Sequence, residues 1–229
     1  MTWKLNKIKE RYLCITMDSD GRNVFGKKMV IKTINNPSVN DIWFFHIKNK
    51  NIVALQEMLD VGVIKIDVQD KVQGDTIVHE SIQRRNLKLL DFCIKNKADF
   101  NMKASVDGET ALFESSYGYV GIRVFRIVWQ QLNVKNLYKT LMEKSDNGKR
   151  LYENLCGDDR NIHKLEWLSR VYLEDWNKFK LLNLEKMINC AAKEGANKNL
   201  FFIKGLQNIK NKLQKNLLQT NKLNKKIKI

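Results

Sequence analysis

The chain repeats a short motif at an interval that constrains its fold. Gly74-Asp75-Thr76 recurs as Gly108-Glu109-Thr110, an offset of 34 residues. Between the two copies, apolar residues are spaced for two short helices, and Arg85-Asn86 marks the break between them. Two helices that are too short to stand alone must stack on copies of themselves to bury their apolar faces. The interval therefore predicts an array of helix-turn-helix repeats.

The segment 74–101 resembles an ankyrin repeat, whose pattern runs G-x-T-P-L-H-x-A-A, a glycine, an amphipathic helix and G-A-D-V-N. The register holds without a gap over 28 residues. Ile77 replaces the proline of the pattern, and Ser81-Ile82 replaces the two alanines. Arg85 and Lys97 stand where the family has glycine. The matching positions are Gly74, Thr76, His79, Asn86, Leu87, Leu89, Leu90, Ala98, Asp99 and Asn101.

Weaker copies of the repeat surround this segment and span residues 41–62, 107–134 and 147–168, and residues 188–206 are either a further copy or a cap. In the first copy, Asp41 is placed to cap the leading helix. The copy at 147–168 has its glycine 40 residues after Gly108, which indicates an insertion near residues 135–146. The resemblance therefore implies an all-α fold, an ankyrin-repeat solenoid of about four degenerate repeats over residues 40–205.

The two ends of the chain do not follow the repeat. Residues 1–39 place alternating apolar residues around the turn sequence DSDGRN, which predicts a capping segment with a β-hairpin. Residues 206–229 carry leucine and isoleucine at helical spacing, which predicts a lysine-rich amphipathic helix docked on the last repeat. Beyond about Leu218 the spacing decays, and we expect the helix to fray.

Thr76 and His79 are the first candidates for chemistry, because His79 is one of three histidines in the chain. The two residues lie three apart at a predicted helix start, where hydroxyl and imidazole bond to each other and to the backbone. No cysteine, histidine or pair of acids lies at metal-ligand spacing nearby. The pattern favours a structural role.

Cys156 and His163, with Asp158 or Asp159 as the orienting group, suit a cysteine hydrolase in residue type. No catalytic signature surrounds them, and the repeat register places Cys156 at a buried position of a first helix. The sequence therefore favours a non-catalytic protein, and no cofactor, metal or small-molecule substrate is expected.

Positive charge is concentrated at the C-terminus of a chain whose net charge is +16. Nine lysines, without an arginine or an acid, fall between Gly195 and Ile229. This tail supports an alternative function, a nucleic-acid or anionic-membrane binder, which truncation at about Ala196 would test. Docking on the last repeat is favoured, because the tail has no arginine for bidentate contacts and no tryptophan or tyrosine for base stacking.

The four cysteines are scattered without a C-x-x-C pair, which is typical of reduced thiols in a cytoplasm. The N-terminus shows no apolar signal-peptide region, and no apolar run approaches the roughly 18 residues that a membrane span needs. The expected location is the cytoplasm, or a host cell into which the chain is delivered without a cleavable signal peptide.

The ankyrin resemblance implies a protein–protein interaction scaffold whose hairpin tips and first helices line a concave binding face. With its divergent repeats, the chain is similar to ankyrin proteins of intracellular pathogens and viruses, so the resemblance also implies a host-directed effector. The expected partner is a protein, and the sequence does not indicate which one. The positions carried over to the binding face are Lys71, Val72, Gln73, Glu80, Arg84, Lys103, Val106, Asp107, Glu114 and Tyr117.

Overall fold

The structure is a computed structural model that describes residues 38–104, 106–132, 140–173 and 183–227, without the side chains of 172–173 and 216–227. The described residues are predominantly helical, as the all-α prediction requires. The chain divides into two compact units, Met1–Val106 and Asp107–Ile229, and each is described by itself. The predicted β-hairpin falls within residues 1–37 and lies outside the described residues.

Unit 1, the unit that ends at Val106, contains two helix pairs. Helices α1 (Val39–Lys48) and α2 (Ile52–Asp60) form the first pair, and α3 (Ile77–Gln83) and α4 (Leu87–Lys95) form the second. Helix α1 also packs against α3, so the two pairs share one core. That core is apolar and fully buried, and its largest members include Trp43, Ile47, Leu55, Met58, Ile77, Ile82, Leu89 and Leu90.

Unit 2, the unit that begins at Asp107, contains six further helices among its described residues. They are α5 (Ala111–Ser115), α6 (Ile122–Gln131), α7 (Leu151–Cys156), α8 (Ile162–Leu173), α9 (Leu184–Lys193) and α10 (Asn197–Ile227). A 3₁₀ turn at Asp159–Asn161 joins α7 to α8. Helix α9 packs against α7 and α10, and α8 packs against α7 and α10. Unit 1 thus consists of two short helix pairs, whereas unit 2 ends in a helix of 31 residues.

Side-chain caps fix where the helices begin. The Ser38 hydroxyl accepts a hydrogen bond from Asp41 N at 3.3 Å, and the Asp41 carboxylate accepts one from Ser38 N at 2.8 Å. This reciprocal capping box makes Ser38 the cap and Asp41 the third helical residue, so the prediction that Asp41 is the cap is wrong. The hydrogen bond with Ser38 also lowers the pKa of Asp41. Asn51 and Asn86 cap α2 and α4, at the predicted breaks.

The C-terminal helix is longer than predicted at both ends. Helix α10 begins at Asn197, before the expected start at residue 206, and continues to Ile227, beyond the fraying expected after Leu218. Lysine and leucine both favour helices, which accounts for the length. Asn199, Ile203 and Leu206 are buried. The first third of this helix therefore belongs to the packed body of unit 2.

Three non-glycine residues of unit 1 have a left-handed backbone, namely Lys50 (φ 58°), Arg85 (φ 52°) and Lys97 (φ 56°). Arg85 and Lys97 are the two positions at which the ankyrin pattern has glycine. Lys50 directly precedes the cap of α2, as Arg85 directly precedes the cap of α4. Larger residues thus stand at Arg85 and Lys97 in place of the glycines of the pattern, but the left-handed backbone that glycine favours is kept.

Replacing Lys97 with glycine should stabilise the chain by about 1 kcal/mol, because a left-handed conformation costs an L-residue about that much. Urea denaturation of the full chain measures the change. Lys88→Gly is the matched control, since Lys88 is an exposed lysine with helical backbone in α4. That variant should lose about 1 kcal/mol. Equal losses in both variants would contradict the left-handed conformation at Lys97.

Candidate protein-binding surface

The hairpin tip before α3 is built on one aspartate. Asp70 Oδ1 accepts hydrogen bonds from Gln73 N at 2.8 Å and from Asp75 N at 3.1 Å, which closes the turn. Lys71, Val72 and Gln73 are consequently exposed at the tip, and Val72 is 81% exposed. The three residues that the resemblance assigns to this tip are therefore accessible to a partner.

The next tip of unit 1 is joined to the first by one backbone hydrogen bond and by the side chain of Gln69. Val106 N donates to Gln73 O at 3.2 Å. Gln69 Nε2 reaches both tips, donating to Gly74 O at 2.7 Å and to Lys103 O at 2.8 Å. Lys103 is exposed, and Val106 is 65% exposed. The two tips thus form one continuous surface, called here the tip surface: Lys71, Val72, Gln73, Lys103 and Val106.

Helix α3 supplies the other two predicted contact residues of unit 1. Arg84 Nε lies 2.5 Å from Glu80 Oε2, one helical turn away. Arg84 is exposed, whereas Glu80 is buried. The guanidinium of Arg84 is therefore the group that a partner would meet, and Glu80 holds it in place.

Two predicted contact residues of unit 2, Glu114 and Tyr117, belong to a layer of paired tyrosines and carboxylates. Tyr117 OH donates to Glu109 at 2.6 Å, and Tyr119 OH donates to Glu114. The two tyrosine rings stack with centroids 5.7 Å apart. Burial, followed by the hydrogen bonds to the glutamates, raises the pKa of both tyrosines. Glu114 is buried and Tyr117 is half-buried, so the ring of Tyr117 offers more surface than Glu114 does.

Asp107 lies at the first tip of unit 2 and is partly exposed. Its carbonyl accepts a hydrogen bond from Asp146 N at 2.7 Å, which joins this tip to the next one along the chain. Gly108, with φ +64°, follows it, and a Cβ at that position would lie 2.2 Å from Asp146 Oδ1. The positive φ favours glycine at this position of the repeated motif, and a Cβ would also displace the carboxylate of Asp146.

Thr76 and His79 form a capping box at the start of α3. Nδ1 of His79 lies 3.0 Å from the Thr76 hydroxyl and accepts a hydrogen bond from Thr76 N at 3.2 Å. Both residues are buried. In α5, Thr110 Oγ1 accepts from Phe113 N at 3.4 Å with no imidazole present. This geometry supports the structural interpretation of His79.

The residues of the hydrolase hypothesis have separate partners. Cys156 is buried, and burial raises the pKa of its thiol. His163 is exposed, and its Nδ1 lies 3.2 Å from Glu166 Oε2. Asp158 pairs with Arg160 at 2.6 Å, which lowers the pKa of that carboxyl. A nucleophilic cysteine needs an accessible thiol with a lowered pKa, so this geometry gives the hypothesis no support.

Unit 2 contains a half-open cavity of about 800 Å³, within the range of about 300–1,000 Å³ that is typical of ligand pockets. The cavity lies beside α7 and α9. Its lining combines two tyrosines, four basic residues and four acidic residues, namely Tyr117, Tyr152, Lys149, Arg150, Lys186, Lys193, Glu153, Asp158, Asp159 and Glu194. Of these, only Tyr117 belongs to the contact residues that the sequence predicts.

Lys164 was not singled out by the sequence, although it is the most buried lysine in the described residues, with 2% exposure. Its Nζ donates to Tyr117 O at 2.7 Å and to Asn161 Oδ1 at 2.8 Å, and lies 5.7 Å from the ring centroid of Phe125. Burial lowers the pKa of Lys164 to about 7. A lysine in an amphipathic helix is ordinarily exposed, so the sequence carries no signal for this one.

No protein-family model matches the chain, and no curated protein matches it. Across the described residues, no helix combines the length and the apolar content that a membrane span needs. The same residues hold no group of three or more histidine, cysteine or acidic side chains placed to bind a metal ion.

Proposed function

We propose that the chain is a non-catalytic interaction scaffold of the ankyrin type, which binds a protein partner through its hairpin tips and first helices. One observation carries the proposal. Val72 and Val106 are exposed on neighbouring tips that are hydrogen-bonded to each other through Gln73. Lys71 and Lys103 lie on the same tips, so apolar groups are bordered by charged ones, as at protein interfaces.

The tip surface is also held in place before any partner arrives. The turn on Asp70 and the bridge from Gln69 fix the backbone of both tips. A fixed surface loses little conformational entropy on binding, which favours affinity. Arg84, held by Glu80, extends the same proposal to the first helix of the repeat.

The test compares exposed valines within unit 1. The double variant Val72→Asp/Val106→Asp should lose at least about tenfold in partner affinity, since a carboxylate on each tip opposes apolar burial at the interface. Val53→Asp is the matched control, because Val53 is 70% exposed in α2 and lies on neither tip. Affinity capture from candidate host or parent-cell lysate identifies the partner, and titration with the purified partner measures the affinity.

Thermal denaturation accompanies the titration. The double variant should melt within a few degrees of the parent chain, because surface substitutions usually change stability by under about 0.5 kcal/mol. Equal binding by the double variant and the parent chain would show that the partner does not use the tip surface. Equal loss in Val53→Asp would show that the effect is not local to the tips.

The alternative function, a lysine-tail binder of nucleic acid or anionic membranes, is favoured by one feature of α10. Ile209 and Leu213 are exposed on this helix beside Lys212 and Lys215. Apolar and basic side chains in one exposed helix suit the surface of an anionic membrane. Truncation at Ala196 would also remove the buried residues Asn199, Ile203 and Leu206, so a cut after Asn208 tests the tail while keeping these three.

The host-directed role and the delivered location belong to the same proposal and rest on the ankyrin resemblance alone. A scaffold of this kind acts by holding its partner, so its effect on a host protein would follow from occupancy of that protein's surface. The identity of the captured partner decides between a host protein and a protein of the parent cell.

A further inference from the structure

The cavity of unit 2 differs from the tip surface in its charges. Among its carboxylates, Glu153 is paired with Arg150, with 3.5 Å between Arg150 Nη1 and Glu153 Oε1. Asp158 is paired with Arg160 at 2.6 Å. Asp159 Oδ1 accepts a hydrogen bond from Asn199 N at 3.0 Å, at the start of α10. Glu153 and Asp158 are thus compensated by guanidinium groups, whereas the neutral N–H of Asn199 does not compensate the carboxylate of Asp159.

The lysines of the cavity are engaged differently. Lys149, Lys186 and Lys193 form no ion pair within 4 Å among the described residues, and all three are exposed. Lys149 lies over the ring of Tyr117 at 6.0 Å, which is an aromatic contact and leaves its charge uncompensated. Asp159 and Glu194 form no ion pair within 4 Å among the described residues either, so the three lysines exceed these two carboxylates by one positive charge.

We infer that this cavity binds an acidic peptide segment of the protein partner. The inference deepens the proposed function and rests on it, since it names the chemistry of one segment that the partner presents. Lys149, Lys186 and Lys193 would each meet a carboxylate of that segment. The volume of about 800 Å³ accommodates a short segment and not a folded domain.

Two features favour carboxylates over the phosphates of a nucleic acid. Arg150, the arginine of the lining, is paired with Glu153, so its guanidinium is not free for bidentate phosphate recognition. The faces of Tyr117 and Tyr119 are stacked on each other, so Tyr117 has no free pair of faces for a base. Flexible lysines that bind single carboxylates need neither feature.

The test titrates the full chain with a capped hexaglutamate peptide at about 150 mM ionic strength, where long-range attraction is screened. The parent chain should bind the peptide saturably. In the cavity variant Lys149→Gln/Lys186→Gln/Lys193→Gln, the Kd should rise at least about tenfold, since three charge contacts are lost. The matched control is the tail variant Lys204→Gln/Lys212→Gln/Lys215→Gln, which removes the same charge from exposed lysines of α10 and should change Kd less than about twofold.

Three results would overturn the inference: no saturable binding by the parent chain, equal loss in the two triple variants, or larger loss in the tail variant. A thymidine hexanucleotide serves as the second probe, and tighter binding of it at the cavity than of hexaglutamate would assign the site to nucleic acid. The proposed hexaglutamate site shares no residue with the tip surface. Hexaglutamate binding can therefore be absent although Val72→Asp/Val106→Asp abolishes capture of the partner. It can also be present although that double variant has no effect, so the two proposals are tested separately.

Discussion

Raising the pH from about 7 to 8.5 should stabilise the parent chain relative to Lys164→Met by about 2 kcal/mol. Lys164 has its pKa lowered from 10.5 to about 7 by burial. Between these two values the unfolded chain binds a proton that the folded chain does not, so stability rises with pH by up to about 1.4 kcal/mol per unit. Methionine has no proton to bind, and this contribution disappears.

Urea denaturation of both chains at several pH values measures the difference. Burial raises the pKa of the Cys156 thiol, so stability falls as pH rises through the range where the cysteine of the unfolded chain ionises. Comparing the parent chain with Lys164→Met removes this contribution, because both chains contain Cys156. Lys193→Met, an exposed lysine of the same unit, is the control and should leave the slope of the parent chain intact. Parallel curves for the parent chain and Lys164→Met would contradict the buried, weakly basic amine.

Lowering the pH from about 6.5 to 4.5 should destabilise the parent chain relative to His46→Leu by about 2–3 kcal/mol. His46 is 1% exposed in α1, and burial lowers the pKa of its imidazole from 6.5 to about 4. Within this window the unfolded histidine binds a proton and the folded one does not, so stability is lost as pH falls, by up to about 1.4 kcal/mol per unit.

The same denaturation experiment in acid provides the measurement. Burial raises the pKa of Asp75, also in unit 1, and this favours the folded chain as pH falls. The pH dependence of the parent chain alone would therefore be smaller than the contribution of His46. His163→Leu is the matched control, because that imidazole is exposed on α8. A parent chain that tracks His46→Leu through this range would show that His46 is accessible to protons in the folded state.

The sequence predicts the local features of this fold well, because they depend on short-range chemistry. Arg85-Asn86 marks a real break, since Asn86 caps α4 through a hydrogen bond from Leu89 N. Thr76 and His79 form the capping box that their spacing implies. The failure at Asp41 is also local: serine and aspartate three residues apart can both cap, and the choice between them is made by the whole box.

The cavity and its charges could not be predicted in the same way. Lys149 precedes α7, whereas Lys186 and Lys193 lie on α9, and only the packing of α9 against α7 brings these segments to one site. Lys164 is buried because Tyr117 O and Asn161 Oδ1 surround its amine, and one of those partners lies 47 residues away. Tertiary partners of this kind leave no periodic trace in a sequence.

The left-handed conformations of Lys50, Arg85 and Lys97 have a consequence for how the chain can evolve. Each position carries a cost that a single change to glycine removes, about 1 kcal/mol apiece. A typical substitution destabilises a protein by about that amount. Unit 1 therefore has three positions, away from its tips, where a change to glycine would stabilise the fold. Such a change could compensate for a destabilising substitution that introduces a new contact residue on the tips.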